Sequence, residues 1–276
     1  MVAARTAVSV VSIAAVHLAC LAGPAPARAG DGEEYALEHR SSDLAVLGAS
    51  AAAWAGLELA KGQLAPLACR WCATNALDDW ARNQLLWSDP ARAARASDVA
   101  IVAMPAAAVA YAVLAARPGP GTREGWWDAV AIGEAVALTG TLTSALKYAV
   151  GRERPYAIHG NYAAAGKEPG PEDHLSFWSG HTSMAFSIAA ATGTVASLRG
   201  RDHAGWVWAV GMTAATAVGW LRIAGDRHHL TDVLAGAAVG TAVGIGVPRL
   251  LHGRVDGQGG TQLSLVPVPL GIAGTW

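Results

Sequence analysis

The sequence predicts an all-α protein, a helical bundle embedded in a membrane through about five spans. Apolar residues make up 53% of its 276 residues and charged residues only 15%, whereas about a quarter of an average soluble domain is charged. Apolar segments of helical length recur along the chain. The few polar clusters lie next to the ends of these segments, so we expect the bundle to gather them at one end.

The N-terminus predicts an exported protein. Arg5 supplies a positive charge, an apolar stretch covers residues 6–21, and Ala27 and Ala29 are small residues suited to a signal peptidase. We therefore expect a signal peptide over residues 1–29. An uncleaved membrane anchor is the alternative.

The apolar segments and the loop charges together predict a topology. The five expected spans are 99–116, 129–146, 183–198, 206–221 and 233–247. Segment 44–60 contains Glu58 and is expected not to span. Arginines follow the first, third and fifth spans, and the positive-inside tendency places those loops in the cytoplasm. The opposite ends, with residues 147–182 and 222–232, then face the periplasm from the inner membrane.

Four regions are expected along the chain. They are a signal peptide (1–29), an N-terminal helical region (30–97), a core (98–247) and a C-terminal tail (248–276). Within the second region, Cys69 and Cys72 can form a local disulfide in an oxidising compartment. The tail contains Pro267 and Pro269, which favour an extended conformation over a helix.

A first polar cluster follows the second span. Lys147 lies at its end and Arg154 seven residues later, so both cations can share one helical face before Pro155 ends the helix. Two convergent cations suit a phosphate group. The plainer interpretation is that they complement the dipole of a helix C-terminus.

A second cluster, Ser179-Gly180-His181, opens the third span. Ser179 can cap the helix, while the free amides beside Gly180 let an anion approach the backbone. His181 can donate or accept a proton near neutral pH. A helix cap without further function is the alternative.

A third cluster contains Arg222, His228 and Asp232. The spacing of four predicts that Asp232 reaches the His228 imidazole on a helix and holds its tautomer. The other ring nitrogen can then attack phosphorus. Elsewhere such a pair would be read as a surface ion pair one helical turn apart.

The ordered pattern Lys-x6-Arg-Pro, Ser-Gly-His and Arg-x5-His-x3-Asp resembles the type 2 phosphatidic acid phosphatase superfamily, which includes the vanadium haloperoxidases. The resemblance covers about residues 98–247. It departs from the family at Trp178, where proline is usual, and at Leu221, where serine is usual. Both departures bear on the shape of the pocket and hence on the substrate.

The resemblance implies a role for each motif residue. His228 would be the nucleophile that forms a phosphohistidine, Asp232 would orient it, and His181 would protonate the leaving alkoxide. The phosphoryl oxygens would be held by Lys147, Arg154, Ser179, Gly180 and Arg222. No metal or cofactor is implied, and vanadate is expected to act as an inhibitor or transition-state mimic.

The function expected from the sequence is metal-independent hydrolysis of a lipid phosphate or diphosphate. The alternatives are a soluble periplasmic acid phosphatase acting on small phosphate esters, a vanadate-dependent haloperoxidase and, last, a non-catalytic binding protein. The net charge of -1 argues against a nucleic-acid partner. The sequence does not indicate the oligomeric state.

Several polar residues stand outside the motifs. Arg152 and Arg227 are expected to be solvated, and His252 to lie at the surface. Glu134 lies inside an apolar segment, where a charge is costly. Two interpretations stand: a functional residue, or a residue paired with a nearby cation. The loop 156–175 is a candidate for substrate selection.

Overall fold

The computed structural model describes the backbone of residues 34–37, 40–116, 121–256, 264–268 and 271–275. The predicted signal peptide lies outside the described residues. Within them the chain folds into ten α-helices and four short strands. The predicted all-α class is confirmed.

The helices in chain order are α1 (Ser41–Leu59), α2 (Lys61–Leu64), α3 (Ala76–Leu85), α4 (Pro90–Ala115), α5 (Gly121–Val150), α6 (Pro155–Ile158), α7 (Tyr162–Ala165), α8 (Gly180–Leu198), α9 (Ala204–Ala224) and α10 (Leu230–Leu251). The strands are β1 (Glu34–Leu37), β2 (Gly253–Asp256), β3 (Ser264–Val268) and β4 (Gly271–Thr275). β1 pairs antiparallel with β2, and β3 with β4. The strand β1 that precedes α1 is therefore joined to the strand that follows α10.

Helix α8 is the centre of the bundle. It packs against α4, α5, α9 and α10, and most of its residues between Thr182 and Ala196 are buried. Several of its hydroxyl side chains bond to backbone carbonyls of the same helix, as when Thr192 donates to the Ile188 carbonyl at 2.7 Å. Small residues and internally bonded hydroxyls let neighbouring helices approach closely, which is how helices associate where lipid replaces water.

The closest packing is between α8 and α10. Gly236, Gly240 and Gly244 of α10 repeat every four residues along the face that contacts α8. A Cβ on Gly236 would lie 2.8 Å from the Ser179 carbonyl oxygen, and one on Gly240 would overlap the Ser183 carbonyl. This close approach fixes the start of α10 beside the start of α8.

Four of the described helices are long and apolar enough to cross a membrane: α4, α5, α9 and α10. α8, the fifth predicted span, is less hydrophobic than these four helices. It faces protein rather than lipid on all sides. α1 is not among the four, as expected for segment 44–60. Large apolar side chains on the outer helices are exposed, including Val102 on α4 and Trp206 on α9. The bundle is that of a membrane-embedded protein.

The N-terminal region covers one end of this bundle. α3 packs against α9 and α10, and the predicted disulfide between Cys69 and Cys72 is present. The disulfide loop pairs with the segment after α5, since Arg70 N–H donates to the Gly151 carbonyl at 2.9 Å. The expected boundary at residue 98 falls within α4.

The C-terminal tail is extended where the structure describes it, in agreement with the prediction. β3 and β4 form a hairpin. α10, however, continues beyond the expected boundary at 247 to Leu251, through Pro248. Proline in this last turn loses only one backbone hydrogen bond, and the helix does not end there.

The close contact of α8 and α10 can be tested with Gly240→Ala. The new methyl group must push the helices apart, and overpacking of this kind costs about 1–3 kcal/mol. Gly246→Ala is the matched control, because a Cβ there meets only Leu250 at 3.9 Å. We expect thermal unfolding in detergent to show a lower midpoint for Gly240→Ala alone. Equal midpoints for the two variants would contradict this packing.

Candidate active site

A cavity of about 370 Å³ opens where α5 ends and α8 and α10 begin. Six of the eight residues predicted from the motifs line it: Lys147, Arg154, Gly180, His181, Arg222 and His228. The other two, Ser179 and Asp232, are fully buried beside it. Residues up to 81 positions apart in sequence therefore meet at one end of the bundle.

Lys147 and Arg154 reach the cavity from different elements. α5 ends at Val150, Gly151 follows with φ 59°, and Arg154 is the N-cap of α6. The prediction that both cations share one helical face is wrong. Glycine in the left-handed region ends the helix, and the residue before a proline avoids helical backbone angles.

The Arg154 guanidinium is held by backbone carbonyls. Its Nε donates to the Glu172 carbonyl at 2.8 Å and its Nη1 to the Arg227 carbonyl at 3.0 Å. The same Nη1 lies 3.3 Å from Nε2 of His228. Neutral acceptors fix the group without cancelling its charge, which leaves the charge available to an anion in the cavity.

His228 lies before α10 rather than in it, because the N-cap of that helix is His229. The His228 Nδ1 lies 3.6 Å from Asp232 Oδ2, which is an ion-pair distance rather than a hydrogen bond. The Nδ1 atom has no hydrogen-bond partner among the described residues. The two side chains are adjacent as predicted, although not through one turn of helix.

Burial lowers the pKa of His228 well below its usual value, and the nearby Arg154, Lys147 and Arg222 charges lower it further. Because the folded-state pKa is depressed, the ring stays neutral at pH 7 and takes up a proton only in acid. A neutral imidazole has one nitrogen lone pair available for attack on an electrophile.

Asp232 is held by a residue that the sequence analysis set aside. Arg152 was expected to be solvated, but it is 1% exposed, and its Nη1 donates to Asp232 Oδ1. Ser176 Oγ donates to the other carboxylate oxygen at 2.6 Å, and the His229 N–H also donates to it at 3.0 Å. The carboxylate is thus fixed from several sides beneath the imidazole.

Arg152 is itself enclosed by the N-terminal region. Its Nη2 donates to Asp78 on α3 at 2.7 Å, and the guanidinium lies 4.0 Å from the ring centroid of Trp71. Neither partner could be recognised from spacing, because they lie more than 70 residues before Arg152. The available signal was an arginine between two motif cations in a chain with few charges.

The predicted anion site at the start of α8 takes a specific form. Ser179 caps the helix, since its Oγ accepts from the Thr182 hydroxyl at 2.8 Å and the Thr182 amide at 3.4 Å. Its side chain does not line the cavity, whereas Gly180 does. A Cβ on Gly180 would lie 3.6 Å from Lys147 Nζ, so glycine keeps the space between this amide and the ammonium open.

Asp98 on α4 is a second residue that the sequence analysis missed. Its Oδ1 lies 2.9 Å from Nε2 of His181 and accepts from Nη1 of Arg222 at 3.1 Å. Arg222 also donates to Ser97 Oγ at 2.9 Å. A lone carboxylate at the start of an apolar segment was the signal that could have identified it.

Arg227 also departs from its prediction. It lines the cavity and is 9% exposed, and its Nη2 donates to the Ala165 carbonyl at 2.8 Å. Burial and the neighbouring Arg154 charge lower its pKa. His229 is buried, and its Nε2 lies 3.0 Å from the Glu153 carbonyl oxygen, away from the residues that line the cavity.

The mouth of the cavity is a chain of ion pairs. Lys61 bridges Glu58 at 2.9 Å and Glu172 at 3.3 Å, and Lys167 binds Glu172 at 2.8 Å. Burial opposes the ionisation of Glu172, but Arg154, Lys167 and Lys61 outweigh it and lower its pKa. These ion pairs join the end of α1 to the loop 156–175, so that loop borders the site.

Part of the chain is similar to a known protein family. Residues 128–256 match the model of the PAP2 superfamily. We call these matched residues the PAP2 segment. All three motifs lie inside the PAP2 segment, whereas Asp98, Asp78 and Trp71 lie before it.

Two curated relatives match part of this chain. Lipid A 1-phosphatase of Porphyromonas gingivalis is 35% identical over 120 residues, which are 43% of this chain and 23% of that protein. Lipid phosphate phosphatase 1 of Arabidopsis thaliana is 33% identical over 130 residues, 40% of each chain. The chain thus spans 23% and 40% of the length of these relatives.

A solved structure was also compared. It is the crystal structure of the first transmembrane PAP2 type phosphatidylglycerolphosphate phosphatase from Bacillus subtilis. The superposition covers 86% of this chain and 92% of that one, at 20% sequence identity and a TM-score of 0.39.

The cations of the PAP2 cavity predict affinity for a tetrahedral oxyanion. We expect Lys147→Met to weaken the binding of inorganic phosphate by at least ~10-fold, because one charge-assisted contact is lost. Arg249→Met, at the far end of α10, is the control. Calorimetric titration of the purified protein in detergent measures both dissociation constants. Similar phosphate dissociation constants for Lys147→Met and the unmodified chain would show that Lys147 does not bind the anion.

Proposed function

We propose that this chain hydrolyses a lipid phosphate or diphosphate through a phosphohistidine on His228, without a metal ion. One observation carries the proposal: three cations and two histidines converge on a single cavity at the end of membrane-embedded helices. The match of residues 128–256 to the PAP2 superfamily supports the same reaction class.

In the first step, His228 Nε2 attacks phosphorus. The bond from nitrogen to phosphorus forms, the bond from phosphorus to the ester oxygen breaks, and the leaving alkoxide takes a proton from His181. Lys147, Arg154 and Arg222 neutralise the phosphoryl oxygens, together with the Gly180 amide. Asp232, 3.6 Å from Nδ1, stabilises the positive charge that develops on the ring.

In the second step, water attacks the phosphohistidine. His181, which has lost its proton to the alkoxide, accepts one from the water. Phosphate leaves and the neutral His228 is regenerated. The two steps use the same charges, because both transition states spread negative charge over the same three oxygens.

Metal independence follows in this proposal from the number of cations. In many phosphoryl-transfer sites a magnesium ion offsets the charge of the transferring group. Here the three motif cations Lys147, Arg154 and Arg222 line the cavity together with Arg227. The same arrangement would hold vanadate, whose tetrahedral and five-coordinate oxyanions mimic the reacting phosphoryl group.

The lining of the cavity supports a lipid substrate over a small ester. Trp54, Leu175 and Met184 form part of its wall beside the polar groups. Such a lining suits a molecule with a phosphate at one end and an apolar part at the other. The names of the two curated relatives, lipid A 1-phosphatase and lipid phosphate phosphatase 1, agree with this class.

We further propose that the site faces the periplasm from the inner membrane. Arg199 follows α8 and Arg249 lies in the last turn of α10, so both lie at the end of the bundle opposite the cavity. Positively charged loops favour the cytoplasmic side of a membrane. The cavity would then open on the exported side.

His228→Gln tests the nucleophile. We expect phosphate release from a lipid phosphate to fall by at least ~10⁴-fold, because glutamine cannot form the covalent intermediate. His229→Gln is the matched control, since its amide can still donate to the Glu153 carbonyl. Phosphate release is measured without added metal, from a lipid phosphate and from a soluble ester. Both substrates are tested with the membrane fraction and with the soluble fraction.

Three results would contradict the proposal as stated. Turnover by His228→Gln would exclude His228 as the nucleophile. Activity confined to the soluble ester, with the protein in the soluble fraction, would favour a periplasmic acid phosphatase. A requirement for a divalent ion would refute the metal-independent step.

Asp98→Asn tests the positioning of His181. Loss of the carboxylate should slow hydrolysis of an alkyl phosphate by about 10-fold or more, because proton donation to the alkoxide becomes less effective. A nitrophenyl ester should be much less affected, since its leaving group needs little protonation. An equal loss of rate for both substrates would show that Asp98 acts by holding Arg222 for phosphate binding, rather than by positioning His181.

A further inference from the structure

Three ionisable side chains form a buried cluster away from the cavity. Asp43 lies on α1, Glu134 on α5 and His252 directly after α10, and all three are less than a tenth exposed. His252 Nε2 lies 2.6 Å from Glu134 Oε2, and its Nδ1 lies 3.5 Å from Asp43 Oδ2. The prediction that His252 is a surface residue is therefore wrong.

The charge of this cluster is unbalanced within the three groups. Two carboxylates face one imidazole, so the trio keeps a net negative charge even when the ring is protonated. Asp43 Oδ2 accepts one backbone hydrogen bond, from the Arg40 N–H at 2.7 Å. Glu134 Oε1 is inaccessible to solvent and has no hydrogen-bond partner in the part of the chain that the structure describes. A buried carboxylate oxygen without a partner is costly and points to a missing ligand.

The geometry fits a divalent cation. One carboxylate oxygen from each acid and one ring nitrogen of His252 lie within 4.8 Å of one another. Ligand atoms around a tetrahedral zinc ion are about 3.4 Å apart, given bonds of about 2.1 Å. Asp43 and Glu134 now face different nitrogens of His252, so one carboxylate must turn before both acids and one ring nitrogen contact a single ion. Glu134 Oε1 could bind that ion as a second oxygen.

We propose that Asp43, Glu134 and His252 bind a divalent transition-metal ion, zinc or manganese. An imidazole ligand favours zinc over magnesium and calcium, which prefer oxygen ligands alone, and the two carboxylates suit manganese. The two positive charges balance the two carboxylates and replace the proton between His252 and Glu134. Zinc and manganese share this ligand chemistry, and metal analysis distinguishes them.

The site has a structural rather than a catalytic place in the fold. Glu134 precedes Lys147 by thirteen residues on the same helix, which is about 20 Å along its axis. The ligands come from α1, α5 and the end of α10, and the strands β1 and β2 pair next to them. The ion would tie the N-terminal helix to the C-terminal end of the core, and hydrolysis at His228 would not use it.

The experiment is metal analysis and thermal unfolding of the full chain, purified in detergent without chelator. We expect about one zinc or manganese ion per chain, and removal by chelator should lower the unfolding midpoint by at least ~5 °C. Adding zinc or manganese should restore the midpoint, whereas magnesium should not. Phosphate release by the stripped protein, below its new midpoint, should persist.

Variants assign the ion to the cluster. Glu134→Gln and His252→Asn should each lose the ion and no longer respond to chelator. Asp128→Asn is the matched control, because Asp128 is a buried carboxylate on α5 that pairs with Arg199 at 2.6 Å. It should lower the midpoint yet keep the ion. If a ligand variant does not fold, titration of zinc into the metal-free unmodified chain decides whether the chain binds the ion.

Two outcomes would overturn the site. In the first, the unmodified chain binds no divalent ion and chelator does not change its unfolding midpoint. His252 and Glu134 would then be joined by a shared proton. The other is an ion kept by both ligand variants, which would place it elsewhere in the chain. Neither outcome bears on the role of His228.

Discussion

The Arg152 guanidinium lies between two buried carboxylates, Asp78 and Asp232, and the active-site end of the protein depends on this arrangement. A buried carboxylate is tolerated only when it is paired and hydrogen-bonded. Arg152 meets that need for both acids at once. It thereby joins α3, the turn after α5 and the start of α10. Asp232 can hold the position beneath His228 only because this central cation is fixed by Trp71 and Asp78 on its other side.

The same constraint explains why the N-terminal region lies against the PAP2 segment. The loop closed by Cys69 and Cys72 pairs with residues 151–153, and the Glu153 N–H donates to the Trp71 carbonyl at 3.0 Å. Arg152 belongs to the paired segment 151–153, so its backbone cannot move without breaking these hydrogen bonds. The geometry of the candidate site is therefore supported by residues outside the PAP2 segment.

Above this support, three cations converge around the cavity, and repulsion among them works against folding. The repulsion is contained in different ways: Arg154 is held by neutral carbonyls, whereas Arg222 is held by Asp98 and Ser97. The close packing of α8 on α10 fixes the frame in which they meet. An arrangement of this kind favours an anion that supplies the missing negative charge, and it needs little reorganisation as charge develops.

How far the sequence predicted the structure depended on the range of each interaction. Within a motif, spacing placed Ser179 at a helix cap and His228 next to Asp232. It failed for Lys147 and Arg154, because Gly151 ends the helix between them. Hydropathy identified the four outer helices. It also predicted α8 as a membrane span, although the neighbours of α8 are helices rather than lipid.

The sequence by itself determined the chemistry: which side chains carry charge, which can take a proton, and which segments are apolar enough to form the bundle. Only the tertiary structure decided which of the remaining charges matter. Asp98, Asp78 and His252 each act on a partner more than 70 residues away. Spacing along one helix or strand predicts contacts over a few residues, whereas burial obliges distant charges to pair wherever the packed helices bring them together.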